Sequence, residues 1–135
     1  ILDADIYEII PEVPYTDADL DYRNSDCRAN REQNDPAARP VITGSVESMD
    51  DYEVIFLGYP IWWGDAPKII STFLESYDFE GKTIVPFCTS GSSSIGSSAD
   101  GLEALAGGAA WLDGQRFSHS SSEADIASWV NGLNL

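Results

Sequence analysis

Two apolar runs without polar alternation stand out in the chain, Glu53–Tyr59 (EVIFLGY) and Thr83–Phe87 (TIVPF). Unbroken runs of this length predict strands covered on both faces. Between them the period changes to that of a helix, with Ile69, Ile70, Phe73, Leu74 and Tyr77 on one side. Asp65 or Ala66 is the expected cap, and Pro67 fits the first turn, where a missing N–H costs nothing. Gly81 ends the pattern. Pro86 cannot donate to a ladder, so the second strand is expected to end or bulge near it.

Further along, Ser97 and Asp100 have the spacing of a capping box, opening a helix through Leu102 and Leu105. Ala109–Phe117 reads as a last strand, and Ile126, Trp129, Val130 and Leu133 recur at helical spacing behind a serine-rich cap. At the other end Asp5–Ile10 (DIYEII) is a short β-rich run closed by Pro11. Glu12–Asp50 is polar and aperiodic, yet too long for a bare loop, so a short helix is expected over Cys27–Gln33.

Strands alternating with amphipathic helices predict an α/β layer architecture, a parallel sheet flanked by helices. The 135 residues suit one domain spanning 1–135. In such sheets ligands bind beyond the carboxyl ends of the strands. That places the loop after each central strand, GYPIWWGDAPK (Gly58–Lys68) and TSGSSSIGSS (Thr89–Ser98), at one crevice.

Charge narrows the partners. The chain has 23 acidic against 7 basic residues, a formal net of −16, which repels nucleic acid and anionic membrane surfaces. A salt-adapted surface and a field that steers a basic protein partner both fit that excess. Arg23, Arg28, Arg31 and Arg39 lie among acids, as a solvated face does, although an anion or partner site fits too. Cys27 and Cys88 sit in unlike settings and read as free thiols in a reducing, cytoplasmic compartment. No stretch is long and apolar enough for a membrane span.

Trp62 and Trp63 sit between Pro60 and Gly64, stiff on one side and permissive on the other. An exposed indole pair is a plate for a flat ligand, while a buried pair packs under neighbouring loops; the spacing fits both. The serine-glycine loop adds hydroxyl and N–H groups without charge. Trp129 falls on an apolar helix stripe and reads as core. Serine hydrolysis is disfavoured, because the loop lacks the G-x-S-x-G elbow and the one histidine, His119, reads as a surface residue. Two scattered cysteines and that histidine offer no metal-ligand spacing.

The segment VIFLGYPIWWGDAPKIISTFLESYDFEGKTIVPFCTSGSSSIGSS closely resembles the third strand, helix and fourth strand of the flavodoxin family, in its branch with a Pro-x-Trp-Trp-Gly loop. CRANREQNDPAARP, Cys27–Pro40, resembles the segment after the family's second strand. The resemblance implies a flavodoxin-like three-layer fold with FMN at the topological switch point. It implies that Pro60, Ile61, Trp62, Trp63 and Gly64 border the flavin ring, with a tryptophan stacked on it. Thr89, Ser90, Gly91, Ser92 and Ser93 would border the other side, and Tyr59 is a weaker candidate that also reads as structural.

ADIYEII already resembles the family's second strand, so its first strand and phosphate loop have no counterpart in this sequence. In the family's order a gap of two strand spacings, about 10 Å, is then expected beside the third strand. The start at Ile1 suggests a fragment or processed chain, with another copy or a rebuilt sheet as alternatives. FMN retention is accordingly open. The implied role is electron transfer or flavoprotein reduction with a redox partner protein whose docking surface is basic, and homo-oligomers are compatible. The alternative is an interaction module of the same fold without cofactor.

Overall fold

A computed structural model of the protein describes residues 4–91 and 93–135. In chain order the elements are β1 (Ile10–Pro11), α1 (Arg28–Gln33), β2 (Ile42–Thr43), β3 (Val54–Pro60), α2 (Lys68–Glu75), β4 (Thr83–Thr89), α3 (Ser98–Glu103), β5 (Ala110–Trp111), β6 (Gln115–Phe117) and α4 (Glu123–Gly132). The two apolar runs pair in parallel along their whole length, from Val54 opposite Thr83 to Pro60 opposite Thr89. Helices cover the pair on either side, so the parallel sheet flanked by helices is realised.

The other edge of β4 carries β5 and then β6, where a single strand over Ala109–Phe117 was expected. Pro86 accounts for the interruption. Alternate residues of a parallel strand face alternate neighbours. Ala110 donates to the Lys82 carbonyl at 2.8 Å and Leu112 to that of Ile84 at 3.0 Å, so even-numbered residues of β4 face this side. The missing N–H of Pro86 therefore falls here, and β4 runs on unbroken while its neighbour bulges. The register takes three steps from Ile84 to Phe87 (87 − 84) against four from Trp111 to Gln115 (115 − 111), one extra residue. Gly114 lies in that bulge, where a Cβ would stand 2.8 Å from the Pro86 carbonyl and 2.4 Å from Ile95 Cδ1.

On one face of the sheet α2 buries Ile69, Ile70, Phe73 and Leu74 against Leu57, Tyr59, Ile84 and Cys88, joined by Leu102 of α3. Each large side chain so buried contributes about 1.5–3 kcal/mol. The first helical residue of α2 is Lys68, with Pro67 as its cap in extended backbone (ψ 146°), one or two residues later than the expected cap. The expected Ser97–Asp100 capping box does not form: the Ser97 side chain caps nothing, and the turn closes through its carbonyl to Asp100 N at 3.1 Å. The helix ends at Glu103, so Leu105 lies beyond it. A capping box does open α4, where Ser122 Oγ accepts from Asp125 N and Ser122 N donates to the Asp125 carboxylate. Trp129 of α4 is half-buried rather than fully enclosed, meeting the rings of Phe56, Phe87 and Phe117 on the second face.

The expected strand over Asp5–Ile10 is the clearest departure. Only Ile10 pairs, as part of β1 with β2 in an antiparallel ribbon, and Ile6 is 95% exposed. A strand needs a neighbour to bond to. Between this segment and β3 lies a groove of about 1070 Å³, lined by Ile6, Tyr7, Val54, Phe56 and Gly58 among others. The expected gap beside the third strand is thus an open groove, and among the described residues the outer edge of β3 has no partner strand. No helix among those residues is long and apolar enough to cross a membrane.

Candidate functional site

Pro60 stands opposite Thr89, and Thr89 opposite Phe117, so three parallel strands end in one row. The two loops read from the sequence leave from that row. They are tied at their roots by Ile61 N donating to the Thr89 carbonyl at 3.4 Å.

The tryptophan loop is a tight hairpin turn. Trp62 N donates to the Asp65 carbonyl at 2.8 Å and Asp65 N returns a bond to the Trp62 carbonyl at 3.1 Å. The two residues between, Trp63 and Gly64, have φ of 53° and 81°. Positive φ at both central positions is the type I′ pattern. Glycine accepts it freely, but a bulky residue there costs about 1–2 kcal/mol, a strain that other contacts must hold. Two amides of α1 supply them: Asn30 Oδ1 accepts from the Trp63 indole N–H at 2.6 Å, and Gln33 Nε2 donates to the Trp62 carbonyl at 2.9 Å.

The two indoles consequently point in different directions. Trp62 is half-buried, edge-on to Tyr15 with ring centres 5.5 Å apart, and lines the groove beside β3. Trp63 is 67% exposed, flanked by Tyr22 at 6.4 Å. Neither indole is sealed under the loops. Pro60 and Gly64 are exposed beside them, and Ile61 is half-buried against the core.

Across the row, Thr89, Gly91 and Ser93 are exposed, and Ser90 is half-buried. Ser92 lies outside the described residues. The loop's own residues carry no charge, but a neighbouring strand brings one to it. Arg116 of β6 reaches into it, donating to Ser90 Oγ (3.1 Å), the Ser90 carbonyl (3.1 Å) and the Gly91 carbonyl (2.6 Å). Ser90 Oγ itself donates to the Ser93 carbonyl, so that hydroxyl is engaged within the loop.

Tyr59 belongs to the core rather than the crevice. It is 3% exposed, its hydroxyl pairs with Ser98 Oγ at 2.9 Å, and burial raises its pKa. Strand parity explains this, since Tyr59 shares a face with Leu57 beneath α2. Sequence reasoning also missed Asn30 and Gln33, whose partners in the tryptophan loop and just before α2 lie 29 to 33 residues away. The one local hint was polar residues inside a short predicted helix.

The arginines divide. Arg28 pairs with Glu32 at 3.0 Å and covers the Tyr15 ring at 3.8 Å, while Arg39 pairs with Glu75 at 2.6 Å and its hydrogen bond lowers that carboxyl's pKa. The Tyr15 hydroxyl also donates to Glu32. Both cysteines are buried and unbridged, and burial raises the Cys88 thiol, which Arg116 offsets only in part. His119 is exposed, and no metal-binding cluster occurs among the described residues.

An indole two-thirds exposed on one strand-end loop, and hydroxyl, N–H and guanidinium groups on the loop rooted next to it, are the kinds of group that take the ring and the polar edge of a flat heterocycle. A family model described as flavodoxin matches residues 1–133. A crystal structure of a candidate flavoprotein from Bacteroides eggerthii DSM 20697 is 44% identical, with a TM-score of 0.90 over 97% of this chain and 82% of its own. One from Bacteroides uniformis ATCC 8492 is 41% identical, with a TM-score of 0.88 over 93% and 80%. A flavoprotein from Lactobacillus acidophilus NCFM, solved in complex with FMN, shares the fold at 20% identity and a TM-score of 0.54, over 81% of this chain and 69% of its own. No curated protein matches.

Proposed function

The chain belongs to the flavodoxin family, and from that premise we propose that it binds FMN between its two strand-end loops and serves as an electron carrier or flavoprotein reductase. The observation that carries this reading is the Trp63 indole, two-thirds exposed on a strained turn and fixed at its N–H. A large apolar ring held open against both sterics and water calls for a partner that covers it.

When bound, the flavin supplies the redox chemistry, and the protein supplies position and field. Trp63 is the plate, with Pro60, Ile61 and Gly64 as its surround and Trp62 at the groove side. Thr89, Ser90, Gly91 and Ser93 form the polar rim. Arg116 places one positive charge behind that rim, in a chain with 23 acidic residues. The acidic surface disfavours added negative charge on the ligand and favours a low reduction potential, while Arg116 acts the other way at shorter range. A redox partner with a basic docking face suits the same field.

The test is FMN fluorescence titrated with the wild type, Trp62→Ala and Trp63→Ala. Saturable quenching is expected, with affinity falling up to about tenfold in Trp63→Ala and less in Trp62→Ala, on the scale of lost aromatic stacking. Absence of quenching by the wild type would overturn the reading in favour of a flavodoxin-like interaction module without cofactor.

A further inference from the structure

We infer that Asn30 is the positioning residue for the tryptophan plate, an inference that rests on Trp63 being the surface a flavin covers. Asn30 lies on α1, only 5% exposed. Its Nδ2 donates to the carbonyls of Tyr22 and Asn24, both at 2.9 Å. Those two acceptors consume both N–H groups of the amide, so its orientation is determined and Oδ1 must face the other way. There it meets the indole N–H of Trp63 at 2.6 Å. An indole has one donor and no acceptor, so a single fixed oxygen sets the ring's direction.

The backbone is held from the same helix. Gln33, one turn after Asn30, donates from Nε2 to the carbonyls of Trp62 at 2.9 Å and Ala66 at 3.3 Å, spanning the turn that places Trp63 at φ 53°. Asn30 thus aims the side chain while Gln33 clamps the main chain. An exposed tryptophan without such a tether samples several rotamers, and a ligand that stacks on it must select one. Holding the ring in advance removes an ordering cost that corresponds to about two- to tenfold in affinity.

Two measurements decide the matter. In the free protein, hydrogen exchange of the Trp63 indole N–H is followed by NMR and compared with that of free tryptophan. Slow exchange supports the tether, and exchange at the free rate overturns it. FMN titration is then run on the wild type, Asn30→Ala, Trp63→Phe and the double variant, a cycle that separates direct coupling from effects on the fold.

Asn30→Ala is expected to weaken binding by about two- to tenfold in the wild-type background. In the Trp63→Phe background, where no indole N–H remains, it should change nothing. Equal weakening in both backgrounds would mean that Asn30 acts through the loop carbonyls alone, and the inference would fall. If Asn30→Ala does not fold, the indole exchange of the wild type decides by itself. If the wild type binds no FMN, the flavin reading fails, and that same exchange still judges the tether separately.

Discussion

Single residues in this protein are constrained by what faces them across the sheet. Gly58 sits mid-strand in β3, where a built Cβ would lie 2.4 Å from Phe87 Cζ. That ring has little freedom to retreat, being flanked by Phe117 at 6.4 Å and Trp129 at 6.2 Å. Gly58→Ala is therefore expected to lose about 1–3 kcal/mol, the usual cost of overpacking, measured by urea denaturation. A loss under about 0.5 kcal/mol would mean that the aromatic cluster repacks freely. Tyr59 shows the same logic from the other side: the sequence left it between weak site candidate and structural residue, and strand parity places it in the core.

At the scale of elements, the periodic segments were legible and the pairing was not. β3 and β4 fall within a residue or two of their expected positions, and α2 shows its predicted apolar stripe, because a continuous run or a 3.6-residue period describes burial directly. The Asp5–Ile10 segment has the composition of a strand, but composition cannot supply a neighbour, and across the groove β3 is left with an open edge. Pro86 announced a defect, but in the wrong strand: its own strand was expected to end or bulge there, whereas β4 runs on to Thr89 and the parity of its ladder puts the bulge in the neighbour.

The open edge is measurable. Because Ile61 N bonds to the Thr89 carbonyl and Thr83 N to that of Glu53, odd-numbered residues of β3 face β4 and even-numbered ones face the groove. Amides of Phe56 and Gly58 are expected to exchange with solvent much faster than those of Ile55, Leu57 and Tyr59 in native-state hydrogen exchange. Equal protection along the strand would show that the edge is covered in solution.

Across the whole molecule, burial and charge combine at alkaline pH. Burial raises the Cys88 thiol above its ordinary 9.0 and the Tyr59 hydroxyl above its ordinary 10.0. The unfolded chain therefore ionises these groups first. Their contribution to stability is complete below about pH 9 and is lost as the pH rises toward the folded values. Each proton lost also adds to a net charge of −16. The urea midpoint is expected to fall between pH 8 and pH 11. Salt should restore the part due to surface repulsion and leave the part due to burial, which Cys88→Ala should reduce. A midpoint independent of pH over that range would contradict the burial of both groups.

Much of the candidate site was already visible in the one-dimensional pattern: two loops at strand ends, one with paired tryptophans and one with serine and glycine, beneath a helix-covered sheet. These features are local, because strand order along the chain decides which loops leave the carboxyl ends. The folded chain alone decided that Trp63 opens outward on a left-handed turn, that Asn30 and Gln33 of α1 hold it, and that Arg116 charges the opposite loop. Each of those contacts joins residues more than 20 positions apart. Hydrophobic period records whether a side chain is buried, but it carries no information about which distant polar group the side chain meets.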